Sequence, residues 1–527
     1  MTNTLRKLVM VIVTTLLLTG VAIPAIDKKP DAAKEEQEAA ENKLAEFGGK
    51  VERYYLQDLR DTNLSDQEIK QLISDILKDK SKFASIKPSL SELSELKQCK
   101  TDDECIRMLE SKTVVFLNTS FNDDDLSKVM DQLPKIQHLK KIDFSYTKIT
   151  GRDLNKLFTK LKGQKVTDID LSGTPLSDAG LCNLASLAKT EKISKMWLSG
   201  TILTHSRLLE FMKAYKEKPI ELYLANTTVV ERKGTSINEP LVTVSIDSWL
   251  CSKSMPELTL ITGLDLSGTG LTEKGLVALL GGNKVNPGLR KLRLAGNKLK
   301  DEGLDKIKTF TELEVLDLAD NKGITDKGLR DLLTNDGRNM LEANNLKTLI
   351  GDNLKLKPKV SALTELKELS LAGTGNPSDR SGTVTDNGIF CILFQNQNSL
   401  VKLNLSSTAT LASKKDSLNA GILIRKLTKL ESLNISGTGI DNSGLVKIWE
   451  PDKELPKPLD GLRSLDISKT RVTNKGLIND GNIVGLRNLR TIEIGDTKVT
   501  TGGINNRNAL LAITFPGTSG TKALRTQ

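Results

Sequence analysis

The residues that could do chemistry are few in this chain of 527 residues. There are two histidines, His138 and His205, and five cysteines, Cys99, Cys105, Cys182, Cys251 and Cys391. Neither histidine sits in a His-Glu-x-x-His stretch, the helical spacing that turns two imidazoles toward one metal ion. His205 follows a strand turn, where a helix-start or solvent-exposed place is expected. Gly373-Thr374-Gly375 resembles half of a nucleotide-binding loop. No Gly-Lys-Ser/Thr phosphate loop occurs in the chain, however, and the triplet falls on a turn. Aspartates recur at regular intervals with lysines among them, an alternation that suits solvated ion pairs better than a cation site. The expectation is a protein that is not an enzyme and uses no metal or cofactor.

Five cysteines are too few to staple a disulfide scaffold. Cys99 and Cys105 flank a helix-start signal, and a disulfide between them requires Cα atoms within about 7 Å. An oxidised pair and two unrelated thiols are both open at this point. Cys182, Cys251 and Cys391 read as small buried hydrophobes. Apolar residues make up 38% of the chain, enough for a core and too many for wholesale disorder. The 76 basic residues outnumber the 66 acidic ones, a net charge of +10 that is mild among so many charges. It favours solubility and a weak pull toward polyanions, and falls short of a nucleic-acid-binding footprint.

At the N-terminus Arg6 and Lys7 precede an apolar run from Leu8 to Leu18. Small residues follow at Thr19-Gly20-Val21-Ala22 and Pro24-Ala25. This is the layout of a secretory signal peptide over residues 1–25, with cleavage expected after Ala22 or Ala25. An uncleaved anchor is the alternative, because residues 8–25 just reach the length that spans a thin bilayer. No cysteine follows the run, which argues against a lipoprotein. Residues 26–110 are strongly charged and read as a helical N-terminal region. Lys28 to Phe47 suits a solvated helix or a flexible arm. Capping boxes follow at Ser65-x-x-Glu68, Ser89-x-x-Glu92 and Thr101-x-x-Glu104. Ile69, Leu72, Ile73 and Ile76 form one helical stripe. The region is expected to cover the open end of whatever comes next.

From about residue 110 the chain repeats itself. One unit reads Val166-Thr-Asp-Ile169-Asp-Leu171-Ser-Gly-Thr174-Pro-Leu176-Ser-Asp-Ala-Gly180-Leu181. Another reads Ile261-Thr-Gly-Leu264-Asp-Leu266-Ser-Gly-Thr269-Gly-Leu271-Thr-Glu-Lys-Gly275-Leu276, and Leu462 to Leu477 keeps the same frame. The first strand apolar of each unit falls at Val114, Ile142, Ile169, Met196, Leu222, Leu264, Leu292, Leu316, Leu349, Leu369, Leu403, Leu433, Leu465 and Ile492. Early steps are 28, 27, 27 and 26 residues. A 42-residue step after Leu222 marks an insertion, and a 20-residue step from Leu349 to Leu369 marks a unit poor in helix.

On these residues the chain resembles a leucine-rich repeat protein over residues 110–510, similar to the ribonuclease-inhibitor-like and cysteine-containing subclasses. The asparagine usual at that family's turn stands at Asn297 and Asn321. Threonine replaces it at Thr147, Thr174, Thr201, Thr227, Thr269, Thr374, Thr408, Thr438, Thr470 and Thr497, with one side-chain group where asparagine has two. The resemblance implies an α/β fold. Residues 111–510 would form a curved solenoid of about 14 units, with a parallel concave sheet and convex helices, ahead of a tail at 511–527. Strands about 4.8 Å apart would make an inner arc of roughly 65 Å. A single unit cannot bury its own apolar face, so stability comes from stacking on neighbours.

Residues flanking the buried strand apolars face the inner curve. The middle position reads Asp143, Asp170, Trp197, Tyr223, Asp265, Arg293, Asp317, Ser370, Asn404, Asn434, Asp466 and Glu493. The position before the first apolar reads Lys141, Asp168, Lys195, Glu221, Lys291, Glu368 and Lys402. Two binding candidates emerge: Asp168, Asp170, Trp197, Glu221 and Tyr223 on neighbouring strands, and Arg290, Lys291 and Arg293 on one strand. Aromatic and arginine side chains are common interface anchors; a mixed polar surface such as any solenoid shows is the plainer alternative. The insertion between Thr228 and Leu260 contains Trp249 and Cys251. It reads as a distorted repeat around Val242, Val244 and Ile246, or as a loop over the solenoid edge. Residues 376–384 form a second, polar insertion.

The resemblance implies interaction and not catalysis, although fold alone does not establish function. The expectation is an exported monomer that binds an unidentified protein through its concave face and inserted loops. It would be secreted, periplasmic or at the cell surface, or membrane-anchored if residues 8–25 stay attached. No specific nucleic-acid partner is expected. The alternatives are a bacterial effector or ubiquitin-ligase-type substrate adaptor, though residues 26–110 show no F-box pattern, and a weak polyanion binder.

Overall fold

Short apolar strands recurring every few tens of residues have no partner within their own unit, so they must pair with the next. The computed structural model describes residues 30–53, most of 111–500, and 512–514. The signal at 1–25, the three capping boxes, the Ile69–Ile76 stripe, Cys99, Cys105, Leu349 and the insertion at 376–383 lie outside the described residues.

Helix α1 (Pro30–Ala45) leads to β1 (Gly49–Arg53), which pairs antiparallel with β2 (Lys112–Phe116). Along the chain follow β3 (Leu139–Asp143), β4 (Asp168–Asp170), β5 (Lys195–Trp197), β6 (Ile202–Thr204), β7 (Ile220–Tyr223), β8 (Thr228–Arg232) and β9 (Leu241–Val244). Then come β10 (Ile261–Asp265), β11 (Lys291–Arg293), β12 (Val315–Asp317), β13 (Glu368–Ser370) and β14 (Lys402–Asn404). The last are β15 (Ser432–Asn434), β16 (Ser464–Asp466), β17 (Thr491–Glu493) and β18 (Ala512–Thr514). All but β6, β8 and β9 join one 15-stranded sheet, parallel throughout except at β1. Between the strands lie α2 (Asp123–Val129), α3 (Leu154–Lys160), α4 (Asp178–Thr190), α5 (His205–Tyr215), α6 (Ile246–Leu250), α7 (Glu273–Leu280), α8 (Asp326–Asp331), α9 (Asp386–Gln395), α10 (Ala420–Ile424) and α11 (Asn442–Trp449). Each described helix faces the sheet with an apolar stripe, as α7 does with Leu276, Leu279 and Leu280, and one continuous core runs from Ala40 to Val499. This is a leucine-rich-repeat solenoid.

Register lines up Val114, Ile142, Ile169, Met196, Leu222, Leu264, Leu292 and Leu316, and continues through Leu369, Leu403, Leu433, Leu465 and Ile492. Leu316 pairs directly with Leu369, so β12 and β13 are neighbours in the sheet. One boundary differs from the sequence reading: the sheet passes residue 510, because Ile513 falls into register with Ile492.

At the N-terminal end α1 and β1 close the solenoid. Ala40 and Leu44 of α1 are fully buried in the common core. Phe116 stacks on Phe121 and Phe144, with centroids 4.2 Å and 5.2 Å apart. A bare end would expose one apolar cross-section to water, which terminal caps exist to prevent.

Two hydrogen-bond systems tie unit to unit. Asn297 donates to the carbonyls of Leu266 and Leu294 and accepts from the Leu271 amide, and Asn321 bridges its units in the same way. Most turn threonines bond only within their own unit, as Thr174 does with Leu171; Thr227 and Thr374 instead reach the preceding unit. The second system is a clasp at the helix starts. Thr325 donates its amide (2.8 Å) and hydroxyl (2.7 Å) to Asp301 of the preceding unit, and its hydroxyl accepts from the Lys327 amide, capping its own helix. Thr272 binds Asp247 and Thr385 binds Asp326 likewise. The glycine three residues after each threonine leaves room for the carboxylate: a Cβ on Gly328 would lie 2.2 Å from Asp301 Oδ1.

The first insertion is neither of the two forms expected from sequence. Val242 and Val244 belong to β9, which forms an antiparallel hairpin with β8, and β8 in turn pairs with β6. Ile246 begins α6, an ordinary convex helix with Ile246, Trp249 and Leu250 buried. Trp249 is therefore a core residue. Cys251, which caps that helix, is exposed, and Cys182 is half-buried, so neither is the buried hydrophobe expected; both are free thiols. Each stands just past a buried position, after Leu250 and Leu181 respectively.

Candidate functional site

The inner face follows a local rule. Asp143, Asp170, Asp265, Asp317 and Asp466, with Asn404 and Asn434, each accept from the backbone N–H two residues on, at 2.9–3.1 Å. The short side chain thereby turns the backbone off the strand. These regular aspartates are turn formers; Asp143 and Asp170 also pair with Lys141, a buried ion pair where the sequence suggested solvated ones. Trp197, Tyr223 and Arg293 occupy the same row and have no acceptor for this bond. Register sets Trp197 beside Tyr223, and Asp265 between Tyr223 and Arg293.

The two aromatic rings stack with centroids 5.0 Å apart and planes within 7°. On the β3 side the Lys141 ammonium lies 4.5 Å from the Trp197 centroid, a cation–π contact. The same ammonium stands 3.1 Å from both Asp143 and Asp170. Burial works against the Lys141 charge, yet Asp170 and Asp143 outweigh it and hold the group above the ordinary lysine range. Burial pushes the Asp170 carboxyl up; Lys141 opposes this, while Asp143, sharing the same cation, adds to it. Asp168 is fully buried, its Oδ1 accepting from Thr167 Oγ1 (2.7 Å) and Ser194 Oγ (3.4 Å), which makes it part of the framework.

Glu221 accepts from the Tyr223 hydroxyl at 2.6 Å and from Lys291 Nζ at 2.9 and 3.0 Å. Lys291 stands two strands away. The span is possible because Gly263 lies between them: a Cβ there would come within 3.0 Å of the Glu221 Cγ. Burial pushes Glu221 up, but the Lys291 charge and the Tyr223 hydrogen bond leave it below the usual glutamate range. Burial and the Glu221 charge both raise the Tyr223 phenol.

The basic trio of β11 comes apart. Arg290 is exposed near Glu314 (3.6 Å) and Glu312 (3.8 Å), and Lys291 is paired with Glu221. Arg293 is half-buried and has no hydrogen bond or ion pair within the described residues. Thus Asp170, Trp197, Glu221 and Tyr223 are brought together with Arg293 nearby, while Arg290 and Lys291 are engaged elsewhere. Sequence reasoning did not single out Lys141 or Gly263. Gly263 did carry a signal, as a glycine in an inward row of side chains.

The remaining candidates lie apart from this face. His205 is the first residue of α5, half-buried, with Nδ1 3.6 Å from Glu231. Thr374, inside the Gly-Thr-Gly triplet, is buried and donates to the Leu318 carbonyl. Among the described residues no group of three His, Cys, Asp or Glu could hold a metal ion.

A curved parallel sheet with outer helices and a polar inner face broken by one aromatic pair defines the class: a leucine-rich-repeat solenoid with a candidate recognition surface. The family model described as Leucine Rich repeat matches residues 285–308, 311–333 and 426–448. The first two stretches hold Asn297 and Asn321, the turn residues that depart least from the family's pattern. Among solved structures the chain is similar to an internalin, InlF, from Listeria monocytogenes at 18% identity and TM-score 0.32, covering 65% of this chain and 77% of that one. It is also similar to the functional domain of InlJ from Listeria monocytogenes, which includes a cysteine ladder, at 16% identity and TM-score 0.28. That match covers 70% of this chain and 51% of the InlJ domain, so the chain spans about half of its length. No curated protein sequence matches the chain.

Proposed function

We propose that this chain is an exported, non-catalytic recognition protein that binds another protein on its concave face. The break in the turn-forming row at Trp197 and Tyr223 carries this reading. The fold is served there by Asp or Asn, and Asn404 and Asn434 do the work as well as Asp466. Two large aromatics on adjacent strands forgo that bond and place a rigid stacked pair on the inner surface. Such side chains supply much of the energy of protein interfaces at little cost in conformational entropy. Export rests on the signal-like layout of residues 1–25. No helix of the described residues is long and apolar enough to cross a membrane.

The test is capture of a partner from the extracellular or envelope fraction of the source cells by the immobilised chain. A Trp197→Ala, Tyr223→Ala double variant, shown to be folded, runs in parallel. A loss of capture of at least about tenfold in the variant is expected; equal capture by both proteins refutes the concave-face reading. Cell fractionation tests export independently.

A further inference from the structure

We infer that the concave face recognises an acidic stretch of polypeptide, with Arg293 receiving a carboxylate beside the Trp197–Tyr223 pair. This rests on the concave-face reading above and names the chemistry of the partner.

Three observations converge on an acceptor-bearing ligand. First, Arg293 is the cation of β11 left over: Arg290 has Glu312 and Glu314, Lys291 has Glu221, and Arg293 has no hydrogen bond or ion pair within the described residues. A half-buried guanidinium holds five N–H donors in a rigid fork that matches a carboxylate in two-point fashion. Second, both faces of the Trp197 ring are occupied, one by Lys141 from β3 and the other by Tyr223 from β7. What the indole offers an incoming partner is its rim, the electropositive part of the ring, together with an Nε1–H that has no hydrogen bond within the described residues. Third, the carboxylate nearest the pair is already engaged. Glu221 takes the Tyr223 hydroxyl and Lys291, so it does not compete for Arg293.

Asp265 and Asp317 flank Arg293 in register, and each commits its Oδ1 to its own turn. Burial pushes the Asp317 carboxyl up, and the Arg293 charge pulls against that shift. Arg293 lies between these two acids, and the groups of β5 and β11 without a hydrogen bond or ion pair within the described residues are the Arg293 guanidinium and the Trp197 rim and Nε1–H. Their complement is a run of carboxylates interspersed with side chains able to rest against aromatic rims.

The test uses the full chain after residue 25 and two soluble probes, a random glutamate–tyrosine copolymer and a random lysine–tyrosine copolymer. Binding is measured at low and physiological salt for the parent protein, Arg293→Gln, Arg290→Gln and the Trp197→Ala, Tyr223→Ala double variant. The glutamate copolymer is expected to bind more tightly than the lysine one and to lose about tenfold in affinity with Arg293→Gln. Arg290→Gln, which removes the same unit of charge from an exposed site, is expected to change affinity by less than about twofold. An equal loss in the two arginine variants would reduce the effect to net charge and overturn the inference. A preference for the lysine copolymer would overturn it too. If the double variant loses the probe while Arg293→Gln keeps it, the concave-face reading stands and the carboxylate site falls. If both keep it, both readings fall. Unchanged thermal unfolding of Arg293→Gln confirms that a lost affinity is not a lost fold.

Discussion

At one strand position this fold needs a short acceptor for the amide two residues on, and Asp or Asn supplies it in most described units. Against that requirement Trp197, Tyr223 and Arg293 are departures that local structure does not demand. The inward direction of the row was legible in the sequence, because strand period fixes which side chains share a face. The turn bond was not, since spacing alone cannot separate an aspartate that holds a backbone amide from one that faces a lysine. Nor was the lodging of Lys141 on Trp197, which depends on two strands that share no sequence proximity. Glu221 gives a prediction at this scale. Its pKa is lower in the folded protein than in the unfolded chain, so the stability it contributes is fully present above the unfolded value of about 4.3. That contribution is lost as pH falls through the depressed folded value. Glu221→Gln is therefore expected to lower the unfolding temperature at neutral pH, with the gap from the parent closing in acid. A gap that stays constant down to pH 3, roughly a unit below the unfolded value, would contradict the pairing with Lys291.

The helix starts show what an element owes to its neighbour. Thr272, Thr325 and Thr385 cap their own helices, each accepting from the amide two residues on. The other half of the arrangement, in which the same threonine binds an acid of the preceding unit beside a glycine that leaves room for it, was not legible. It links residues 24 apart in sequence at Asp301–Thr325 and 59 apart at Asp326–Thr385, so no local window contains it. The hairpin of β8 and β9 was missed for a related reason: Val242 and Val244 alternate as a strand should, and alternation does not say which sheet a strand will join. Asp301→Ala strands the Thr325 amide and hydroxyl and is expected to cost about 1–3 kcal/mol. Gly328→Ala drives a Cβ against the same carboxylate and is expected to cost about 1–3 kcal/mol through overpacking. Because both act on one contact, the double variant should lose clearly less than the two costs combined. Urea unfolding of the four proteins measures this; strict additivity would show that clasp and glycine are independent.

At the scale of the whole molecule, repetition made the fold the most legible feature, since a pattern that recurs through the chain outweighs errors at single units. Its failure falls where repetition weakens, at the C-terminal end, where β18 extends the sheet past residue 510. A solenoid gains length without enlarging one core, and the gain appears as surface of two kinds, a convex side of helices and a concave side of strand residues. The central claim is that recognition belongs to the concave side. Site-specific photocrosslinking decides it, with the crosslinking amino acid placed in one protein at Tyr223 and in another at Val277, an exposed residue of the convex helix α7. The account predicts that the captured partner is crosslinked from position 223 and not from position 277; crosslinking from 277 alone would contradict it.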